Sequence, residues 1–541
     1  MVILYQNDSV LFSAARMNIE NTADGLRRER RGMKRRFVCV ILALMFVCCF
    51  IGCGKKNRDK YEYTDISTEV PKHEDVHIYS PGYGTSGQPR DKAEIDNMLA
   101  EVAKSISETI NITPFFNWIP YEQYDQETIK LIQSGEKIDA FTCFSPVVYA
   151  QQDLILDITD LFPRYAPKYY HELTENEIGR DYLYYGAVNG KLYLVPYYGF
   201  DNPRYCIVTK KEYAEKYAPG GLETMEDYGE FLKMIYENEK GLIPGDVDAR
   251  YFFTAYMEGN GYYVEFSDYF LSRLDEPANM YAMEQTPEFA KAWRLFSQWY
   301  TAGYIKRVGY TNTLLNGRLA SELMPMNNIE NALEQLSVVD AQFTVMPLYM
   351  ESRLLINTSG RGLVISRTCS VPERVVSFVE WIHESQKNYD LFRYGVKDRN
   401  YSLQGDRVTF SRSVKPLTTW FAVDYFFDIR YERLTPNVDA HIKELCQDSS
   451  YKNTVTTRQL YGKYEEKLEE NPEAFEEIMR AYDQIAEMVE AYTANMEKFL
   501  TAAGEGNFSM SPEELEEKQK EAGVEQILSL YRKAKQLMAG P

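Results

Sequence analysis

The sequence predicts an α/β chain of two lobes followed by a helical C-terminal region. Short strands alternate with amphipathic helices from residue 76 onward, and the alternation starts afresh after residue 204. The stretch beyond the N-terminal apolar segment, about 490 residues, also exceeds what one hydrophobic core normally organises.

Residues 76–79 read as a strand ending in the turn-rich loop Ser80-Pro81-Gly82-Tyr83-Gly84. Ile95, Met98, Leu99, Val102, Ile106 and Ile110 recur at the helical period and predict a helix over 92–110. A strand at 113–118, a helix through 128–132 and a strand at 138–141 continue the alternation, which implies a parallel sheet covered on both faces. After the apolar segment 192–196, a strand at 205–209 and a helix at 225–236 open the second lobe. Residues 287–302 predict a helix with Phe289, Ala292, Trp293, Phe296, Trp299 and Tyr300 inward, and 343–347 and 362–365 predict strands. Beyond Pro472 the chain reads as charged, solvated helices packed on the lobes. No repeat of 20 to 50 residues is visible, which argues against a solenoid.

The N-terminus carries a different signal. Lys34, Arg35 and Arg36 precede an apolar run over 37–51, too short for a spanning helix, which needs about 20 residues. Phe50-Ile51-Gly52-Cys53 resembles a bacterial lipobox, with Phe50 where Leu is usual. That resemblance implies a signal peptide at 33–52, diacylglycerol on the Cys53 thiol, and a polar tether over 53–73 holding the protein to the outer face of the cell membrane. Residues 1–32 read as a mis-assigned upstream start, since Arg27-Arg28-Glu29-Arg30-Arg31-Gly32 suits purine-rich codons ahead of Met33.

Removing residues 1–52, which hold 8 Lys or Arg and 4 Asp or Glu, takes the formal net charge from −20 to −24. Nucleic acid is therefore excluded as a partner. Of the 8 cysteines, Cys143, Cys206, Cys369 and Cys446 lie scattered outside the signal without metal spacing or a disulfide framework.

Several segments resemble the extracellular solute-binding proteins of carbohydrate ABC importers, the maltodextrin-binding type and its lipoprotein relatives. They are Ser134-Gly135-Glu136-Lys137-Ile138-Asp139, Leu156-Asp157-Ile158-Thr159-Asp160-Leu161 and Asn189-Gly190-Lys191-Leu192-Tyr193-Leu194-Val195-Pro196. In the second half they are Tyr300-Thr301-Ala302-Gly303-Tyr304-Ile305, Leu315-Asn316-Gly317-Arg318-Leu319-Ala320, Val371-Pro372-Glu373-Arg374 and the stretch 394–403. The resemblance implies a periplasmic-binding-protein-like fold of type II. Lobe 1 would be 74–200 and 350–420, and lobe 2 would be 201–349 and 421–541 with the C-terminal helices. Crossings are implied near 197–204, 349–360 and 416–424, with ligand captured between the lobes by hinge closure and delivered to ABC permease subunits. The chain would act as a monomer, without catalysis, cofactor or metal.

A neutral sugar presents hydroxyls and flat CH faces, so its site needs aromatic platforms ringed by amides and carboxylates. The chain holds 43 Tyr and 5 Trp. Open α/β sheets bind ligands outside the carboxyl ends of their strands. That rule selects Tyr83 after the first strand, Phe144 and Ser145 after the third, and Tyr197, Tyr198 and Asp201 at the first crossing. Asn327, Asn328 and Glu330 follow the segment 323–326, which resembles the family's cleft-lining strand, and Trp420 and Asp424 flank the third crossing. Trp118 is read as core packing. Two alternatives stay open: a binder of peptide or another solute on the same scaffold, and a surface glycan hydrolase. Against the hydrolase, no HExxH, no GxSxG and no recognisable catalytic carboxylate loop occurs, and no GxxxxGK[ST] loop gives the chain its own ATPase site.

Overall fold

The computed structural model describes residues 70–82, 87–89, 91–175, 177–199, 204–265, 269–308, 317–326, 341–352, 354–356, 361–410, 425–436, 454–456 and 470–539, with a few single positions between them. The strands that matter below are, in chain order, β1 (Glu74–Gly82), β2 (Ile112–Pro120), β3 (Ala140–Cys143), β4 (Leu194–Pro196), β5 (Tyr205–Lys210) and β6 (Ile243–Val247). They continue with β7 (Tyr262–Glu265), β8 (Phe270–Arg273), β9 (Glu276–Ala282), β10 (Leu319–Pro325), β11 (Phe343–Pro347) and β12 (Gly362–Ile365). The principal helices are α1 (Lys92–Ser105), α2 (Met225–Asn238), α3 (Ala249–Gly259), α4 (Pro287–Ala302), α5 (Pro372–Glu384), α6 (Gln386–Tyr394), α7 (Pro472–Gly504), α8 (Pro512–Glu521) and α9 (Val524–Ala539).

Two sheets organise the chain. The first has the order β2-β1-β3-β12-β4: β1 runs parallel to β2 and β3, while β12 is antiparallel to β3 and β4. The second has the order β11-β5-β10-β6, with β5 antiparallel to β10 and β11, and β6 parallel to β10. Strands 112–120, 205–210, 343–347 and 362–365 lie where the alternation predicts them. β3 begins two residues later than expected, because Asp139 turns its buried carboxylate back to accept the His77 amide at 2.8 Å.

α1 buries Ile95, Met98, Leu99 and Val102 as its spacing requires, but it ends at Ser105 rather than at Ile110. The Ser105 hydroxyl bonds the Val102 carbonyl, and Asn111 takes φ +49° to turn the chain into β2, so Ile106 stays buried in a turn. α2 opens with a capping box between Thr224 and Asp227. α4 starts at Pro287 behind the Thr286 cap and stops at Gly303, whose φ of +76° closes the helix. Trp118 is half-buried against the first core, as expected.

The sequence reading missed an antiparallel meander, β9-β8-β7, on which the C-terminal helices rest. Phe270 stacks on Tyr492 of α7 at 4.5 Å, and Arg532 of α9 bonds the Met280 carbonyl at 2.7 and 3.0 Å. Lys535, fully buried, reaches the Ser272 hydroxyl at 2.5 Å. Trp293 of α4, expected in the core of its own lobe, is only partly buried and packs on Phe499 of α7 at 4.5 Å. Among the described residues no helix is long and apolar enough to cross a membrane, and no group of three His, Cys, Asp or Glu side chains could hold a metal ion.

Candidate functional site

The register of the ladders decides where a cleft lies. β4 is parallel to β3, so the chain leaves the first sheet at its carboxyl edge, at Tyr197. It enters β5 at Tyr205, and β5 is antiparallel to β10, so entry is at the carboxyl edge of the second sheet. β11 ends at that same edge and the chain returns to β12, whose first residue, Gly362, lies level with Cys143 and Pro196. The connections therefore join carboxyl edge to carboxyl edge, where open α/β sheets place their ligands.

Three segments run side by side between the sheets. The Tyr197 amide donates to the Arg361 carbonyl at 3.1 Å, the Tyr198 amide to the Phe427 carbonyl at 2.9 Å, and the Ile429 amide to the Tyr198 carbonyl at 2.9 Å. Residues 427–429 thus form a connection a few positions beyond the expected 416–424, of which only Leu417 is described. The flanking segment, assigned to the second lobe from sequence, also packs on the first. Phe426 meets Phe378 and Phe392, the Tyr389 hydroxyl accepts the Asp428 amide, and Arg393 and Arg433 pair with Glu432 and Asp390. The physical reason is that α5 and α6 leave an apolar groove that this segment fills.

A buried charged knot holds the connections. Asp428, with no exposed surface, accepts from Arg430 at 2.5–3.2 Å, and Arg430 also pairs with Glu172 at 3.0 Å. The Arg430 guanidinium lies 4.7 Å from the centre of the Tyr198 ring. Buried Arg204 ties the first connection to the second through the carbonyls of Tyr349 and Ser352, at 2.5 and 3.1 Å. His383 is stacked on Tyr169 at 4.0 Å, and burial holds its pKa below the ordinary value, so it stands as a neutral core residue.

Phe144 and Tyr197, chosen from sequence, both come beside Arg361, whose guanidinium lies 5.5 Å from one ring centre and 5.9 Å from the other. Phe144 also meets Tyr121, just past β2, at 6.0 Å, and Tyr425 at 5.4 Å. Tyr197 is only 6% exposed and packs edge-on against Tyr182, so it forms a wall of the site more than an open platform. Ser145 stands beside them, its carbonyl accepting the Cys143 thiol at 2.8 Å. Tyr198 lies in the connection itself. Tyr83, Asp201, Asn327, Asn328, Glu330, Trp420 and Asp424 lie outside the described residues, as does Cys53. Sequence reasoning missed Tyr121, Arg361 and Tyr425. Tyr121 follows the carboxyl end of β2, and the strand-end rule applied to every strand would have found it; Arg361 precedes the amino end of β12, which reaches this edge only because β12 runs antiparallel to its neighbours.

On the second sheet's edge, Arg307 bridges Asp246 at 3.2 Å and Asp248 at 3.4 Å, and Arg250 grips Asp248 at 3.1 and 3.2 Å. Burial alone would raise the Asp248 carboxyl, but its bonds to Arg250 and the charge of Arg307 hold it below the ordinary range. Asp246 is raised by burial in spite of Arg307. Glu322, its neighbour on β10, is pushed up to about 7 by burial and by the Asp246 charge.

Neither a protein-family model nor a curated protein matches the sequence. Solved structures do. The N-glycan transport solute-binding protein of Streptococcus pneumoniae is similar at 18% identity and a TM-score of 0.63, over 86% of this chain and 99% of that one. The same protein in complex with Man1GlcNAc gives 16% identity and 0.55, over 86% and 99%. In complex with Man5GlcNAc it gives 17% identity and 0.54, over 86% and 98%. The similarity establishes the fold: this chain has the two-lobed α/β architecture of transport solute-binding proteins.

Proposed function

We propose that the chain is the substrate-binding subunit of an ABC importer and captures an oligosaccharide between its two lobes. The observation that carries this reading is the meeting of two carboxyl edges at one set of connections, with Phe144 and Tyr197 beside Arg361 and with Tyr121 and Tyr425 against Phe144. Aromatic rings supply flat faces for sugar CH groups, and a guanidinium supplies donors for hydroxyls. The shared fold supports it, because the similar pneumococcal protein serves N-glycan transport.

In this reading the ligand touches both lobes and so favours the closed state by its higher affinity for it. Phe144, Ser145, Tyr197, Tyr198, Tyr83 and Asp201 contact the sugar from the first lobe and the first connection; Asn327, Asn328, Glu330, Trp420 and Asp424 do so from the second lobe and the third. Cys53 carries the lipid anchor on the outer face of the membrane, the monomer docks on permease subunits, and the protein binds without catalysing. The lobes divide near 200, 350 and 420.

The test is a thermal-shift screen against mono- and oligosaccharides, including Man5GlcNAc, with peptides as controls. A sugar at a hundred times its Kd adds about 2.7 kcal/mol to stability and raises the melting temperature. A shift with peptides and none with any sugar overturns the carbohydrate reading. Incorporation of a labelled fatty acid that disappears in Cys53→Ser tests the anchor.

A further inference from the structure

The second lobe presents its own carboxyl edge to the connections. β6 ends at Val247, Asp248 caps α3, and Tyr251 follows in the first turn of that helix. The Tyr251 ring centre lies 5.8 Å from that of Tyr205, the first residue of β5. β10 sits between β5 and β6, so the two rings meet from either side of the carboxyl end of the middle strand. Both are half-buried, on the edge of the sheet rather than in its core.

Next to the rings stands a preorganised set of donors and acceptors. Asp248 is held by two guanidinium groups, and the Arg250 and Arg307 side chains keep 29% and 31% of their surface exposed. Two arginines face Asp246 and Asp248, with Glu322 level with Asp246 and Glu497 3.8 Å from Arg250, so carboxyl groups outnumber guanidinium groups and the set disfavours an anionic ligand. Its planar groups are locked by each other, which lowers the entropy lost when they bond a ligand. Paired rings beside an array of planar guanidinium and carboxylate groups suit a neutral sugar, whose CH face needs a ring and whose hydroxyls each need both a donor and an acceptor.

We infer that Tyr205, Tyr251, Asp248 and Arg307 form part of the second lobe's side of the sugar site and hold one neutral hexose unit of the oligosaccharide. This inference rests on the carbohydrate reading above. In it, Tyr251 is the stacking platform, and Arg307 and Asp248 are the donor and acceptor for hydroxyls on the same sugar ring. Arg250 is a positioning residue that fixes Asp248 and, at 3.8 Å from Glu497, ties this edge to α7.

The experiment is calorimetric titration of the purified protein with four neutral oligosaccharides, Man5GlcNAc, maltopentaose, cellopentaose and nystose, alongside Tyr251→Leu and Tyr251→Phe. Melting temperatures of the unliganded variants report on folding, and Tyr205→Leu gives a second reading should Tyr251→Leu fail to fold. The expected result is binding of at least one sugar by the parent protein, a loss of tenfold or more in Tyr251→Leu, and near-parent affinity in Tyr251→Phe. Parent binding that stays within twofold in both leucine variants overturns the inference and leaves the proposed function standing. No binding of any panel sugar by the parent protein overturns both.

Discussion

Glu284→Gln should make the protein more stable in alkaline than in acidic buffer relative to the parent. Glu284 follows β9 in a short turn and is 5% exposed. One carboxylate oxygen accepts from the Tyr492 hydroxyl of α7 at 2.7 Å, and the other is buried with no hydrogen-bond partner among the described residues. Burial pushes the carboxyl from its ordinary 4.5 up to about 7, the Tyr492 bond opposing the rise. A folded-state value above the unfolded one means that the stabilising contribution is complete below pH 4.5 and is lost as pH rises through 7. At 1.36 kcal/mol per pH unit between the two values, the loss amounts to about 3 kcal/mol.

Glutamine cannot ionise, and its amide oxygen still accepts from Tyr492. Its buried NH2 group costs a fixed amount at every pH, on the order of 1 kcal/mol, so the signal is the change between two pH values. The variant should gain about 2–3 kcal/mol over the parent between pH 4.5 and pH 8, read by urea unfolding followed by circular dichroism at constant ionic strength. Glu322, also raised to about 7, is common to both proteins and cancels in the comparison. An equal stability difference at the two pH values would refute the reasoning, because it would mean that Glu284 ionises as freely folded as unfolded.

Three further perturbations follow from the geometry. Arg430→Met strands the fully buried Asp428 carboxylate and should cost about 3–5 kcal/mol in denaturant unfolding, part of it recovered by the added change Asp428→Asn. Gly362→Ala places a Cβ 2.1 Å from the Val195 carbonyl in the β12–β4 ladder, and should lower stability by about 1–3 kcal/mol, visible as a lower melting temperature. Thr224→Ala removes the reciprocal bonds that start α2 and should cost about 1 kcal/mol, whereas Thr224→Ser should cost little.

Much of the molecule was legible because local chemistry and tertiary position agree. α4 shows this: Thr286, Pro287 and Gly303 punctuate a run whose apolar period matches the face it buries. Phe144 and Tyr197 could be singled out because they follow strands that can be read from sequence. β6 could not be read in this way, since Ile243-Pro244-Gly245-Asp246-Val247 contains three residues depleted in strands. The fold explains Gly245 and Pro244. Gly245 admits no side chain because a Cβ there would stand 2.7 Å from Leu232 and 2.9 Å from the Tyr228 hydroxyl, and the Pro244 carbonyl accepts from Ser321 on β10 at 2.7 Å. With β6 unread, Asp248 and Tyr251 had no strand end to mark them.

By itself the sequence determined the α/β class, the order of the main strands and helices apart from β6 and the β7–β9 meander, and much of which side chains face a core, because hydrophobic period, caps and turn residues act over a few neighbouring positions. Only the tertiary structure decided that Arg361 lies beside both Phe144 and Tyr197, that 425–433 packs on α5 and α6, and that Tyr205 meets Tyr251. Those contacts join residues far apart in the chain, and their geometry is set by strand register and by shapes that form only when the sheets assemble.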